Sequence, residues 1–217
     1  MDKILNKIAK LVCSKERKII IGISGHGASG KTTFANNLIK LIGQSDVNYI
    51  NIVPYIIGSS NIRKYAVINY EYKNENHYCK MTACHPGAHN ISALERDIHM
   101  IRDGLDIYTI GTHYKKSNLI SSKNKVNIIE GMSVAFANPN LLDLRVYLYT
   151  DDETEFTRRS YRDVAERGIN IDFLRQSHEE RRIQYELFMH PYHQNFDIVL
   201  KNSDEEYFLE KDDLIKL

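Results

Sequence analysis

Residues 25 to 32 read Gly25-His26-Gly27-Ala28-Ser29-Gly30-Lys31-Thr32, a complete G-x-x-x-x-G-K-[ST] pattern. Its flanks constrain the fold more than the pattern itself. The apolar run Ile19-Ile20-Ile21-Gly22-Ile23 before it has the composition of a strand buried on both faces, as in parallel sheets. Phe34, Leu38, Leu41 and Ile42 after it share one face of a helix. A buried strand, a glycine turn and a helix, in that order, form a phosphate-binding loop. Gly25, Gly27 and Gly30 let the backbone curl so that successive N–H groups converge on phosphate oxygens, and the helix adds the positive end of its dipole. The loop therefore predicts a nucleotide site made by Gly25, His26, Gly27, Ala28, Ser29, Gly30, Lys31, Thr32 and Thr33. Lys31 would reach the β- and γ-phosphates, Thr32 would offer its hydroxyl to Mg²⁺, and Thr33 would touch a phosphate nearer the base.

The rest of the chain reads as alternating strands and helices, which predicts an α/β fold: a mostly parallel sheet flanked by helices, with a small hairpin and lid insertion. Residues 1–14 carry Ile4, Leu5, Ile8, Leu11 and Val12 on one helical face and predict an amphipathic segment (1–17) packed on the domain. Strands are expected at 49–53, 107–110, 126–129, 144–149 and 196–200. A Tyr-rich hairpin is expected over 63–83, turning at Asn74-Glu75-Asn76. Helices are expected from 91 to 105, from about 150 to 166 and over 172–189, with Ser92/Glu95 and Thr150/Glu153 as capping boxes. Residues 203–217 read as a tail after a core domain of 18–202.

With 217 residues and 42% apolar content, one domain with an ordinary core is expected. A net charge of +1 predicts no broad basic surface and argues against nucleic acid as a partner. Three cysteines, no secretory leader and no membrane-spanning run point to a reducing cytoplasm and to no membrane partner.

Two further features carry chemistry. Glu130 closes the 126–129 strand, where open α/β sheets bind ligands, and an acid there can share Mg²⁺ with Thr32. Arg158, Arg159 and Arg162 recur at helical spacing before Arg167-Gly168, as arginines on a closing flap would; a solvated face paired with Asp163 and Glu166 gives the same pattern.

These segments together resemble the phosphoribulokinase/uridine kinase group, over about residues 18–202. The resemblance rests on Ile21-Gly22-Ile23-Ser24-Gly25 through Thr33, on Ile129-Glu130-Gly131, on Asp143-Leu144, on Arg158-Arg159-x-x-Arg162-Asp163-x-x-x-Arg167-Gly168, and on Cys84-His85-Pro86-Gly87-Ala88-His89. It implies ATP and Mg²⁺ as cofactors, a small-molecule hydroxyl as acceptor (in uridine kinases the 5′-hydroxyl of a pyrimidine nucleoside) and a homo-oligomer. It makes Lys31 and Thr32 phosphate and Mg²⁺ ligands, Glu130 the acid after the central strand, and Arg159, Arg162 and Arg167 lid arginines.

The acceptor side departs from that pattern. Val53-Pro54-Tyr55-Ile56 stands where the family carries Asp-Ser-Phe-Tyr, and Cys84 stands for the acid of Asp-His-Pro. Gly111-Thr112-His113-Tyr114 is a poor copy of a nucleoside-holding element, and Ile169 replaces a commonly basic lid residue. A substitute base is expected first at His85, then at His89 or Glu71. His77, Cys79, Cys84, His85 and His89 offer enough ligands for zinc, although H-x-C-x₄-C-H-x₃-H matches no standard finger. The run His178-Glu179-Glu180-Arg181-Arg182 is expected to be a solvated helix face. Tyr65, Tyr70, Tyr72 and Tyr78 are expected to pack on exposed strands or to wall a nucleobase.

Overall fold

The computed structural model describes residues 1–58, 65–112, 116–165, 168, 170–204 and 206–214. Among them the main sheet has six strands: β1 (Ile19–Ser24), β2 (Val47–Asn51), β7 (Val126–Glu130), β8 (Leu144–Tyr149), β9 (Ile198–Ser203) and β10 (Glu206–Asp212). Their spatial order is β10-β9-β8-β1-β7-β2, and every neighbouring pair is parallel except β9/β10. The expected α/β sheet is therefore present, with one antiparallel edge. A hairpin of β3 (Val67–Tyr72) and β4 (Glu75–Lys80) and a short pair, β5 (Ile107–Tyr108) and β6 (Leu119–Ile120), stand apart from it.

The helices are α1 (Asp2–Cys13), α2 (Lys31–Ile42), α3 (Ile91–Arg102), α4 (Asp152–Ala165) and α5 (Ile171–Phe188). Strand alternation divides the core between them. Ile19, Ile21, Ile23, Ile128, Val146 and Ile198 meet α1 and α2 on one face, while Ile20, Ile129, Tyr147 and Val199 meet α3 and α5 on the other. Helix α1 is part of this core: Ile4, Leu5, Ile8, Ala9 and Val12 are buried, and full burial of one such large aliphatic side chain is worth ~1.5–3 kcal/mol.

Three boundaries differ from expectation for identifiable reasons. The segment expected as a tail contains β10, an edge strand. Glu206, Glu210 and Lys211 are charges that suit an unpaired edge but disguise a strand in sequence. The hairpin turns at Lys73-Asn74, both with positive φ (51° and 65°), the geometry of a two-residue primed turn rather than a turn at Asn74-Glu75-Asn76. Helix ends are capped by Asn90 on α3 and Asn170 on α5, and the first turn of α4 is held by Asp151 Oδ1, which accepts from Thr154 N at 2.8 Å. Those contacts stand in place of the two expected capping boxes.

Candidate nucleotide and phosphoryl-transfer site

The glycine loop joins the C-terminal end of β1 to α2, at the centre of the sheet. Gly30 sits at φ +91°, and a Cβ there would strike Asn202 Nδ2, which donates to Ser29 O at 3.0 Å. At Gly25 (φ +139°) a Cβ would strike the Leu148 carbonyl. Only glycine meets both conditions, so the loop's shape is fixed by its sequence. Ala28 also takes a left-handed conformation (φ 63°), a local strain inside the loop.

Lys31 lies within the loop, its Nζ donating to His26 O at 2.6 Å. Burial pushes its pKa down; Glu130 opposes this, while Arg162 and Arg181 add to it. Those two guanidiniums are thus close enough to be felt at the loop lysine. Thr32 Oγ1 donates to Glu130 Oε2 at 3.1 Å, so the expected hydroxyl–carboxylate pair is formed between the first turn of α2 and the end of β7. The same oxygen accepts from Tyr49 OH (2.8 Å) and Asn51 Nδ2 (3.2 Å), two residues of β2 that the sequence reading missed. An alcohol and a buried carboxylate at the end of a parallel strand are oxygen donors suited to a hard cation such as Mg²⁺. Thr33 is exposed on α2.

His26 turns away from the phosphate side. Its ring is fully buried, Nε2 accepts from Thr150 N at 3.0 Å, and Nδ1 is 3.2 Å from Glu155 Oε2. Only its backbone is available to a phosphate. Burial lowers its pKa, keeping the ring neutral beside Glu155.

Glu155 is the hub that the sequence reading did not find. Its carboxylate lies 3.2 Å from Arg182 Nη1, 3.7 Å from Arg181 Nε and 3.9 Å from Arg159 Nη1, in addition to His26. Burial alone would raise its pKa, but His26, Arg181 and Arg159 outweigh that and hold it below the usual carboxylate range. The run 178–182 is therefore no solvated face. His178 bridges Asp152 (2.9 Å) and Arg159 (3.4 Å), and Arg181 Nη2 lies 3.1 Å from where a Cβ on Gly27 would be, directly over the loop. The sequence signal was the pairing of HEERR on α5 with the arginines of α4, but spacing alone does not say which helix face is covered.

Of the lid residues, Arg159 is buried and pairs with Asp163 at 3.6 Å, and Arg162 donates to Asp163 at 2.8 Å. Arg158 instead binds Asn202 O and Oδ1. Gly168 takes φ +65°, as a helix-ending glycine does, and its N–H returns to Val164 O. Arg167, Glu166, Ile169, His113 and Tyr114 fall outside the described residues.

On the acceptor side, His85 begins a short 3₁₀ turn. Its Nδ1 accepts from Gly87 N at 3.1 Å, its ring meets Phe188 edge-on, and burial lowers its pKa. His89 is committed on both nitrogens, to Ser133 Oγ (2.7 Å) and Ala83 O (2.8 Å). Glu71 is exposed on β3. Burial raises the Cys84 thiol, so no negative charge replaces the missing acid. Tyr55 OH donates instead to the buried Asp97, a carboxylate from α3 that Arg96 also holds. Tyr70 stacks on His77 and meets Phe188, and Tyr72 OH binds Glu186, while Tyr65 and Tyr78 are exposed.

A sequence model described as the phosphoribulokinase/uridine kinase family matches residues 20–207. The chain belongs to that family. It is 29% identical to a uridine kinase of Lactobacillus helveticus over 201 residues, covering 88% of this chain and 89% of that one. A uridine kinase of Clostridium novyi is also 29% identical, over 163 residues, covering 72% and 73%. Among solved structures, phosphoribulokinase from Rhodobacter spheroides superposes with a TM-score of 0.61 at 15% identity, covering 86% and 71%, which is a likeness of fold. As a member of this kinase family the chain is an ATP-dependent phosphotransferase with an alcohol acceptor. Among the described residues no helix is long and apolar enough to cross a membrane.

Proposed function

We propose that this kinase transfers the γ-phosphoryl group of ATP to the 5′-hydroxyl of a pyrimidine nucleoside. The supporting observation is that the buried Lys31 stands beside Glu130 of the Thr32–Glu130 pair and beside Arg162 and Arg181, with Arg159 next to those two arginines. The nucleoside comes from the uridine kinase relatives, which align over most of both chains.

Phosphoryl transfer needs little covalent chemistry from the protein; it needs alignment and charge compensation. The loop N–H groups and Lys31 hold the phosphates. Thr32 and Glu130 would hold Mg²⁺, which supplies positive charge to the phosphate oxygens when bound. Arg159, Arg162 and Arg167 are the proposed lid cations, and Arg181 adds a guanidinium from α5 above Gly27. His85 is the proposed acceptor-side base. In its neutral form Nδ1 is spent on Gly87 N–H and Nε2 carries the proton, so proton uptake requires the Gly87 bond to be released. The absent family acids at Val53 and Cys84 favour a second reading within the same chemistry, a different hydroxylated metabolite as acceptor.

The test is ADP release from Mg-ATP with uridine, cytidine and a panel of other nucleosides and sugar-like alcohols, beside Lys31→Ala. Acceptor-dependent ADP with uridine or cytidine, abolished by Lys31→Ala, is the expected result. Turnover with only a non-nucleoside alcohol would replace the acceptor and keep the chemistry.

A further inference from the structure

The five candidate zinc ligands noted in sequence do not assemble: Cys84 is buried near Arg181, His85 caps a turn and His89 is bonded on both sides. Two of them, however, find a third partner from a distant helix. His77 and Cys79 occupy alternate positions of β4 and so face the same way. Glu180 of α5 faces them, and one ligand atom from each residue lies within 4.8 Å of the others, the one such trio among the described residues. We propose that His77, Cys79 and Glu180 form a three-ligand Zn²⁺ site that clamps the β3–β4 hairpin onto α5.

Three features beyond proximity support the assignment. The donor set combines a thiol, an imidazole and a carboxylate, which suits borderline Zn²⁺ and not Mg²⁺. His77 Nδ1 already points at Glu180 Oε2 (3.2 Å), while Nε2 is buried with no hydrogen-bond partner among the described residues. No other bond of that ring therefore fixes its tautomer, so the proton can sit on Nε2 and leave the Nδ1 lone pair to a metal. The ligands are also oriented from behind. Gln184 Nε2 reaches Glu180 Oε1 at 3.5 Å, and Tyr70 lies nearly parallel to the His77 ring at 5.4 Å and 4°.

The hairpin and helix are already in register for closure. Gln184 binds Lys80 O (2.9 Å) and Thr82 N (2.8 Å), and Tyr72 OH binds Glu186 (2.7 Å). Zinc bonds of about 2.0–2.3 Å would draw the three donors slightly together, leaving the fourth tetrahedral position to water. An imidazole–carboxylate hydrogen bond alone would account for His77 and Glu180, but it gives the thiol of Cys79 no role.

The test uses the full chain stripped of metal and titrated with Co²⁺ in excess Mg²⁺, which occupies oxygen-only sites. One equivalent should bind, with a thiolate-to-cobalt charge-transfer band and tetrahedral visible bands that Zn²⁺ abolishes on displacement. Cys79→Ser should remove the charge-transfer band, and Cys13→Ser should leave it intact. His77→Ala should weaken binding by more than about 100-fold, beyond what loss of an outer-sphere partner costs. Zn²⁺ should raise the melting temperature of the parent chain and not that of Cys79→Ser. Should Cys79→Ser not fold, Glu180→Gln should retain the band but bind at least about tenfold more weakly. Absence of a thiolate band, or a band that survives Cys79→Ser, overturns the proposal. None of these readouts requires kinase turnover.

Discussion

Glu155→Gln isolates the charge hub under the phosphate loop. The substitution keeps the shape of the side chain and removes one buried charge that faces Arg182, Arg181, Arg159 and His26 at 3.2–3.9 Å. At an effective dielectric near 20, the closest contact alone represents about 5 kcal/mol of attraction, most of which desolvation cancels. What remains on removal is the penalty of guanidiniums left without their counter-ion. Arg159 keeps Asp163, and Arg182 keeps Glu186 at 3.3 Å, so the loss belongs at the lower end of the usual 3–5 kcal/mol, about 3 kcal/mol. In a chain of this size that lowers the melting temperature by roughly 6–12 °C. Urea unfolding followed by circular dichroism, with scanning calorimetry at pH 7.5, measures it. The cycle with Arg182→Met should show coupling of at least about 1 kcal/mol. Because the carboxyl is held below its ordinary range, its stabilisation is complete above the unfolded carboxyl pKa. The difference between the two proteins should therefore stay constant from pH 8 down to 5. A cost under about 1 kcal/mol, or additive single effects, would refute the hub.

Three further outcomes are expected. Arg181→Met should lower kcat/KM by about 10²–10³-fold with far less change in ATP affinity, the signature of a donor that acts on transition-state charge; equal losses in both count against it. His85→Asn keeps a side-chain acceptor for Gly87 N–H but cannot titrate. A base predicts a loss of about 10²–10⁴-fold in turnover, and a pure cap predicts almost none. His190 is pushed down to about 4, by burial first and then by His193 and Arg182. The unfolded chain takes up that proton near pH 6.5 and the folded chain does not, so stability is full above 6.5 and falls as pH drops towards 4. The shift corresponds to about 3 kcal/mol at most and, discounted for its partial exposure, on the order of 1–2 kcal/mol. His190→Asn should flatten that acid limb in pH-dependent unfolding, and unchanged slopes would remove the histidine from the account.

What was legible in the sequence was local. The loop, its flanking strand and α2 occupy one continuous stretch, and Glu130 sits at a strand end whose apolar run is unmistakable, so Thr32 and Glu130 could be paired without coordinates. Glu155 was not legible because its partners come from positions 26, 159, 181 and 182, on three separate elements. An amphipathic helix carrying HEERR has the same spacing whether that face meets water or a buried acid. β10 was missed because an edge strand is only half-covered and tolerates the charges that otherwise signal a tail.

The acceptor side shows how sequence departure and structure bear on each other. Replacing an acid by Cys84 would leave nearby arginines under-compensated if that acid had been their counter-ion. Here the Arg181 guanidinium has Glu155 of α4 3.7 Å away as a carboxylate partner, and burial raises the Cys84 thiol. A carboxylate for the arginines of the phosphate end is thus supplied by a lid helix, from outside the acceptor segment. That separation lets the acceptor segment change its chemistry without loosening the phosphate-binding end. It also makes the choice of acceptor, and not the capacity for transfer, the property on which this kinase is expected to differ from the uridine kinases it resembles.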